Sequence, residues 1–252
     1  MDGADEDEWS AAAEGWDRWW DDFPLPVWDA VLDAVSLETG MQVLDVGCGS
    51  GGLLRHLAGR GFVVAGADPA EGMRERARAG GIDVRDATAE ELPWADGTFD
   101  LTIAVNALQL ADDTLTGVRE MARVTAPGGH VAVANWAEGS LNELEVIERA
   151  MALADGDEVH DDDALRRPGG LHRLLVDGGL HDVRSDLTAV PWVAADDDAL
   201  VSGILFGEDP ATMASYAPTV LDAARSFRRG DGSYRLINHF RHAIGCTPRA
   251  TR

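Results

Sequence analysis

The chain has 252 residues, 45% hydrophobic and 26% charged, with a formal net charge of −24; this composition fits one large globular domain, or one domain with a small cap. All 21 basic residues are arginine, and so acidic a surface repels phosphate backbones and anionic lipid, which excludes nucleic acid and the membrane as expected partners. Solubility, or adaptation to salt, accounts for the acidity.

The N-terminus, MDGADEDEWS, is acidic where a signal peptide is basic, so a soluble cytoplasmic protein is expected, its first ten residues mobile. A helix follows over AAAEGWDRWWDDF, broken at Pro24 and Pro26, and a second helix near 27–35. Trp16, Trp19, Trp20 and Phe23 have i, i+3, i+4, i+7 spacing, one helical face. That face packs on the main body or forms an aromatic lid over a site. From Met41 strands and helices alternate. MQVLDV, FVVAGAD, IDVRDA, FDLTIAVNAL and GHVAVANW read as strands; GGLLRHLAGR, AEGMRERARAG and DTLTGVREMARVT read as helices between them. Such alternation predicts an α/β fold with a doubly wound parallel sheet, its ligand at the carboxyl ends of the strands where strand order reverses. Beyond it, 141–155 is expected helical, followed by the acidic loop DGDEVHDDD. The helix GGLHRLLVDGGL, the strand DVRSDLTAV and helical segments near 196–206 and 209–229 come next. SYRLINHFRHAIGC ends the pattern as a strand that can insert antiparallel at the sheet edge. Cys48 and Cys246 make no metal-ligand spacing and no disulfide framework, and no metal is expected.

The stretch VLDVGCGSGG, Val43 to Gly52, joins a strand to a helix. Gly47, Gly49 and Gly52 fit the G-x-G-x-x-G fingerprint of dinucleotide enzymes, whose backbone N–H groups cradle a pyrophosphate. Asp45, two residues before Gly47, would repel that anion. A phosphate-free cofactor with a cationic end suits the loop better, and S-adenosylmethionine, with its sulfonium and ammonium, is one. Gly52 is then only the first turn of a helix. Asp68, at the end of the second strand and roughly 20 residues beyond the loop, can accept from ribose hydroxyls or cap the next helix; it does not separate the two cofactors.

VLDVGCGSG, VVAGADPAEGM, AEELPWADGTFDL and EMARVTAPGGHVAVANW occur in that order. In these blocks the chain resembles class I S-adenosylmethionine-dependent methyltransferases, of the small-molecule branch that includes quinone-type enzymes. The resemblance spans about residues 40–137 and reaches the last helix and strand by architecture only. It implies a mostly parallel, seven-stranded Rossmann-like sheet, with 1–36 as a helical lid segment and 37–252 as one domain. Within that domain 40–137 carries the cofactor and 138–252, with its helical additions, shapes the substrate pocket. It also implies that Asp45, Gly47, Cys48, Gly49 and Gly51 form the cofactor loop. Asp68 matches the ribose-binding acid, and Pro69 and Met73 match apolar positions beside the adenine. Thr88 and Ala89 align with an Asp-Ala pair at the adenine edge; Thr88 replaces the aspartate, and Asp86 competes for that contact. Asn106 is expected at the methionine part of the cofactor. Arg18 reaches for its carboxylate or pairs with neighbouring acids at the surface.

An activated methyl group asks mainly for positioning and desolvation. A base is needed only for a protonated acceptor; the candidates are His239, Tyr216 and Tyr234, with His242 and His130 behind them. His239 and His242 are three apart and so face opposite ways in a strand. His130, starting a strand, is expected away from the site. Trp19, Gln109 and Trp136 are the substrate-side candidates, and the apolar residues of 138–185 and 196–229 suggest a partly apolar acceptor, a natural product or quinone-like metabolite. The expected protein is a monomer or homodimer. Two other readings stay open: a non-catalytic protein that binds S-adenosylmethionine, and a nucleotide-dependent oxidoreductase.

Overall fold

Apolar runs set the strands, and the glycines and acids that interrupt them set the turns. The computed structural model describes residues 6–157 and 162–249. It opens with α1 (Glu6–Trp19) and α2 (Leu25–Ala34). There follow β1 (Gln42–Val46), α3 (Gly52–Gly59), β2 (Val63–Ala67), α4 (Glu71–Ala77), β3 (Asp83–Arg85), β4 (Phe99–Val105), α5 (Thr114–Val124) and β5 (Thr125–Trp136). The later part consists of α6 (Leu144–Asp155), α7 (Gly170–Asp177), β6 (His181–Ala194), α8 (Asp197–Ile204), α9 (Pro210–Ala223) and β7 (Tyr234–Cys246).

These strands form a seven-stranded sheet in the order β3-β2-β1-β4-β5-β7-β6. The pairs from β3 through β5 are parallel, and β7 is antiparallel to both β5 and β6. Its central strands are buried on both faces, as parallel strands with helices on each side must be. Leu44, Val46, Ala104 and Val133 pack toward α5 and α7. Val43, Leu101, Ile103 and Ala132 pack toward α2 and α3. A third core, where the end of β6 and the start of β7 meet α6 and α8, gathers Trp20, Ile147, Trp192, Leu200, Tyr234 and Leu236. Strand order reverses between β1 and β4, so the ligand crevice is expected where their carboxyl ends meet.

Several elements differ from their sequence expectation. Residues 6–10 are helical rather than mobile, and Ala12 and Ala13 of the same helix are buried. Pro26 stands in the first turn of α2, where its missing N–H costs nothing, and does not break it. β5 starts at Thr125, ahead of the glycine pair. β7 does not take the sheet edge: it inserts between β5 and β6, and β6 is the edge strand. Part of the expected acidic loop, 158–161, lies outside the described residues.

Candidate cofactor and acceptor site

The loop between β1 and α3 is closed by its neighbours. The N–H groups of Gly47 and Cys48 donate to the Ala67 carbonyl at 2.8 and 3.0 Å, and that of Gly49 donates to Asp68 Oδ2 at 2.9 Å. Gly47 is left-handed (φ 70°), and a Cβ there would lie 2.3 Å from that of Ala107, so only glycine fits. The Cys48 side chain packs in a cluster with Leu54, Ala77 and Val84, and its thiol donates to the Gly49 carbonyl at 3.8 Å.

Three carboxylates converge here. Asp45 is 3% exposed; burial, then the like charges of Asp68 and Asp21, push its carboxyl well above the usual carboxylate range. Burial also raises Asp68, against the amides of Ala70 and Gly49 that bond it. Burial raises Asp21, against the Ser50 hydroxyl and Arg55. A buried carboxylate beside other carboxylates favours a cationic ligand.

Asp21 has no role in the sequence reading, and no local pattern marks it. It follows α1, and its Oδ1 accepts from the Gly52 N–H at 3.0 Å and from the Ser50 hydroxyl, while Oδ2 pairs with Arg55. A Cβ on Gly52 would meet Asp21 Oδ2 at 2.5 Å. Gly52 is therefore more than a first helical turn: its bare Cα admits this carboxylate. The N-terminal end of α3, where a dinucleotide would place its pyrophosphate, is filled by the chain's own anion.

Around the loop, Asp68 Oδ1 accepts from the Ala70 N–H at 2.9 Å. Pro69 is half-buried beside it. Met73 is buried with Ala13 and Ala70 under the rings of Trp9 and Trp16. The Trp9 indole N–H is buried with no acceptor among the described residues, which leaves a donor for a ligand. Asp86, the other candidate at the adenine edge, has both its oxygens bonded by Arg74 at 3.1 Å. Thr88 is exposed, and Ala89 packs against the core. Asn106, at the end of β4, is left-handed (φ 54°).

Asn106 also lines a cavity of about 380 Å³. Gln109 and Trp136 line it too, with the rings of Trp9, Trp16, Trp20, Phe23 and Phe240. Trp136 packs on Phe240 and Phe23, ring centroids 4.7 and 5.3 Å away. Carboxylates of Glu145, Glu148, Asp163 and Glu208 stand around the cavity with Arg166, which pairs with Glu145 at 3.1 Å.

The other candidates lie elsewhere. Trp19 is not in the lining; its ring lies under the exposed Arg18 guanidinium at 4.8 Å, and its carbonyl accepts the Trp192 indole N–H at 3.2 Å. None of His239, Tyr216 and Tyr234 lines the cavity. His239 Nδ1 bonds the Leu141 carbonyl at 2.7 Å. The Tyr216 hydroxyl donates to Asp155, which holds its pKa up. Tyr234 is buried and donates to Asp197 at 2.8 Å; burial raises it. His242 is buried beside Thr188. His130 lies midway along β5, where pairing with β7 begins, near Cys246. Among the described residues no cluster could hold a metal ion, and no helix is long and apolar enough to cross a membrane.

Residues 44–133 match a family model described as "Methyltransferase domain". The chain is 39% identical over 155 residues to a ubiquinone biosynthesis O-methyltransferase of Rhizobium etli, covering 56% of this chain and 60% of that protein. It is 35% identical over 118 residues to a malonyl-[acyl-carrier protein] O-methyltransferase of Pectobacterium atrosepticum, covering 46% and 47%. The matches thus span about half the length of these relatives. In structure the chain is similar to a putative methyltransferase from Bacillus halodurans, with TM-score 0.60 and 15% identity over 88% of this chain and 98% of the other. It is also similar to one from an antibiotic biosynthesis pathway of Anabaena variabilis, with TM-score 0.61 and 15% identity over 86% and 96%. These two likenesses concern the fold.

Proposed function

We propose that this chain, which carries a class I S-adenosylmethionine-dependent methyltransferase domain, transfers the methyl group of S-adenosylmethionine to a small-molecule acceptor. The observation that carries this reading is the pairing of Asp45 with Asp21. One is a buried carboxylate at the loop mouth with Asp68 and Asp21 as its charged neighbours among the described residues; the other already fills the anion position at α3. Together they favour a cationic, phosphate-free cofactor and disfavour a dinucleotide.

When bound, the cofactor would supply a sulfonium-activated methyl group for direct transfer to the acceptor, whose proton would leave to water. The chain's part is placement. Asp45 offers its charge to the ammonium. Asp68 keeps a second lone pair on each oxygen for ribose hydroxyls. Met73, Trp9 and Trp16 cover the apolar side, and the aromatic cavity excludes water from the acceptor. Its size and lining suit an apolar or aromatic metabolite, quinone-like or a natural product. We take 1–36 as the segment that covers the cofactor and the cytoplasm as the compartment.

Calorimetric titration with S-adenosylhomocysteine against NADH tests the cofactor. The first is expected to bind and the second not; equal affinities would overturn the reading. A labelled-methyl screen over phenols, amines and quinols tests catalysis, and transfer to none of them would leave a binding protein.

A further inference from the structure

We propose that Gln109 holds the reacting group of the methyl acceptor through its Oε1, so that the acceptor presents an O–H or N–H at the atom to be methylated. This rests on the methyltransferase reading and adds to it the chemistry of the acceptor.

Gln109 stands in the short turn Leu108–Leu110 after β4, at the carboxyl side of the strand where sheet order reverses. Its Nε2 donates to the Asn106 carbonyl at 2.9 Å and to Asn106 Oδ1 at 3.1 Å. The left-handed backbone of Asn106 (φ 54°) turns the chain there, and its N–H is fixed by Ala134 at 2.8 Å. A backbone carbonyl can only accept, so the nitrogen end of the Gln109 amide must face Asn106. The oxygen end therefore faces away from it. That Oε1 is buried and has no donor among the described residues, while the side chain lines the aromatic cavity. A buried acceptor left unmet is costly, and a ligand that brings a donor removes the cost.

The chemistry follows from the amide. It accepts a hydrogen bond but does not take the proton at neutral pH, so Gln109 is no base. Holding an O–H or N–H by its hydrogen fixes where the lone pair points, which is what an in-line displacement requires. The proton goes to water after transfer. A carboxylate, thiolate or thioether acceptor brings no donor to Oε1 and leaves the cost in place.

The test uses the full chain saturated with S-adenosylhomocysteine and three probes of one shape: 2-naphthol, 2-naphthylamine and 2-methoxynaphthalene. By calorimetry the first two are expected to bind about tenfold more tightly than the third, the worth of one hydrogen bond to a buried group. In Gln109→Met, close in size and without the acceptor, the difference is expected to fall below about twofold. Affinity for S-adenosylhomocysteine should stay unchanged. Equal binding of the three probes to the unaltered protein, or binding of none, overturns the proposal without any variant. So does a preference that survives in Gln109→Met, or a variant that loses S-adenosylhomocysteine binding, which would assign Oε1 to the cofactor's ammonium. Failure of the unaltered protein to bind S-adenosylhomocysteine is a different result and defeats the methyltransferase reading itself.

Discussion

The carboxylate of Asp21 accepts the backbone N–H of Gly52 at 3.0 Å across 31 residues of chain. It thereby ties the segment after α1 to the first turn of α3, where the helix dipole favours an anion. Ser50 and Arg55 complete the clasp. Asp21→Ala leaves a hydroxyl, an N–H and a guanidinium short of one partner. A loss of about 1–3 kcal/mol in unfolding free energy is expected by urea denaturation. Proteolysis should reach α1 earlier than in the unaltered chain. An unshifted midpoint with unchanged proteolysis would remove Asp21 as the tie.

Gly52 should be intolerant for the same reason. A Cβ there meets Asp21 Oδ2 at 2.5 Å and the Asp21 carbonyl oxygen at 2.8 Å. Gly59, in the last turn of the same helix, has nothing within 4 Å of its would-be Cβ. Gly59→Ala is expected to be neutral or stabilising by about 0.5–1 kcal/mol, and Gly52→Ala to lower the melting temperature. The two variants share a helix and a chemical change, so similar melting shifts would deny the contact.

Asp45 makes stability depend on pH in a definite direction. Its carboxyl is raised in the folded chain, first by burial and then by Asp68 and Asp21. Between the ordinary carboxylate value and the raised one the folded state holds the extra proton. Its contribution to stability is thus full at low pH and declines as pH rises through that window. Asp45→Asn removes the decline. The free variant should be more stable than the parent at about pH 8, with the gap closing toward about pH 5. An ammonium beside Asp45 favours its ionised form, so S-adenosylhomocysteine should release protons on binding to the parent. Calorimetry in buffers of different ionisation enthalpy reads this directly; buffer-independent heats would count against it.

Asp68 already holds the N–H groups of Gly49 and Ala70, and ribose hydroxyls would use its remaining lone pairs. Asp68→Ala is expected to weaken S-adenosylhomocysteine binding by about 1–3 kcal/mol. Unchanged affinity would take Asp68 out of the site.

Trp20 joins the segment after α1 to the third core. It stacks on Trp192 with centroids 5.2 Å apart and planes 9° from parallel, and its indole N–H donates to the Gly203 carbonyl at 2.8 Å. Trp20→Ala should cost about 3–5 kcal/mol in unfolding free energy. A loss under about 1 kcal/mol would mean that the N-terminal segment and the third core are not coupled through this ring.

What the sequence discloses here is what lies close along the chain. Asp45 and Asp68 are readable because each ends an apolar strand at a fixed step from a glycine or a helix. Gln109 and Trp136 are readable because one follows β4 and the other ends β5. Asp21 is not, since its partners are distant and its neighbours are equally acidic. Trp9 is hidden among acids that read as a mobile start, yet it sits edge-on to Trp16 with centroids 5.4 Å apart. Trp19 misleads because α1 ends at Trp19. Trp16, Trp20 and Phe23 stay together in the cavity lining, and Trp19 alone of the four is left out of it. Alternation in β7 separates His239 from His242 but carries no information on which face holds the cavity. The seat of β7 between β5 and β6 is a tertiary choice that no local pattern encodes.

That seat has a consequence for how the chain is made. β6 spans 14 residues and, among the described residues, has β7 as its sole neighbour in the sheet, yet synthesis delivers β6 first. Its pairing edge must wait, unmatched, while α8 and α9 are added. Only when β7 emerges can it zip onto β5 and give β6 a place, so the outermost strand is seated last and the growing polypeptide carries an open strand edge through that interval.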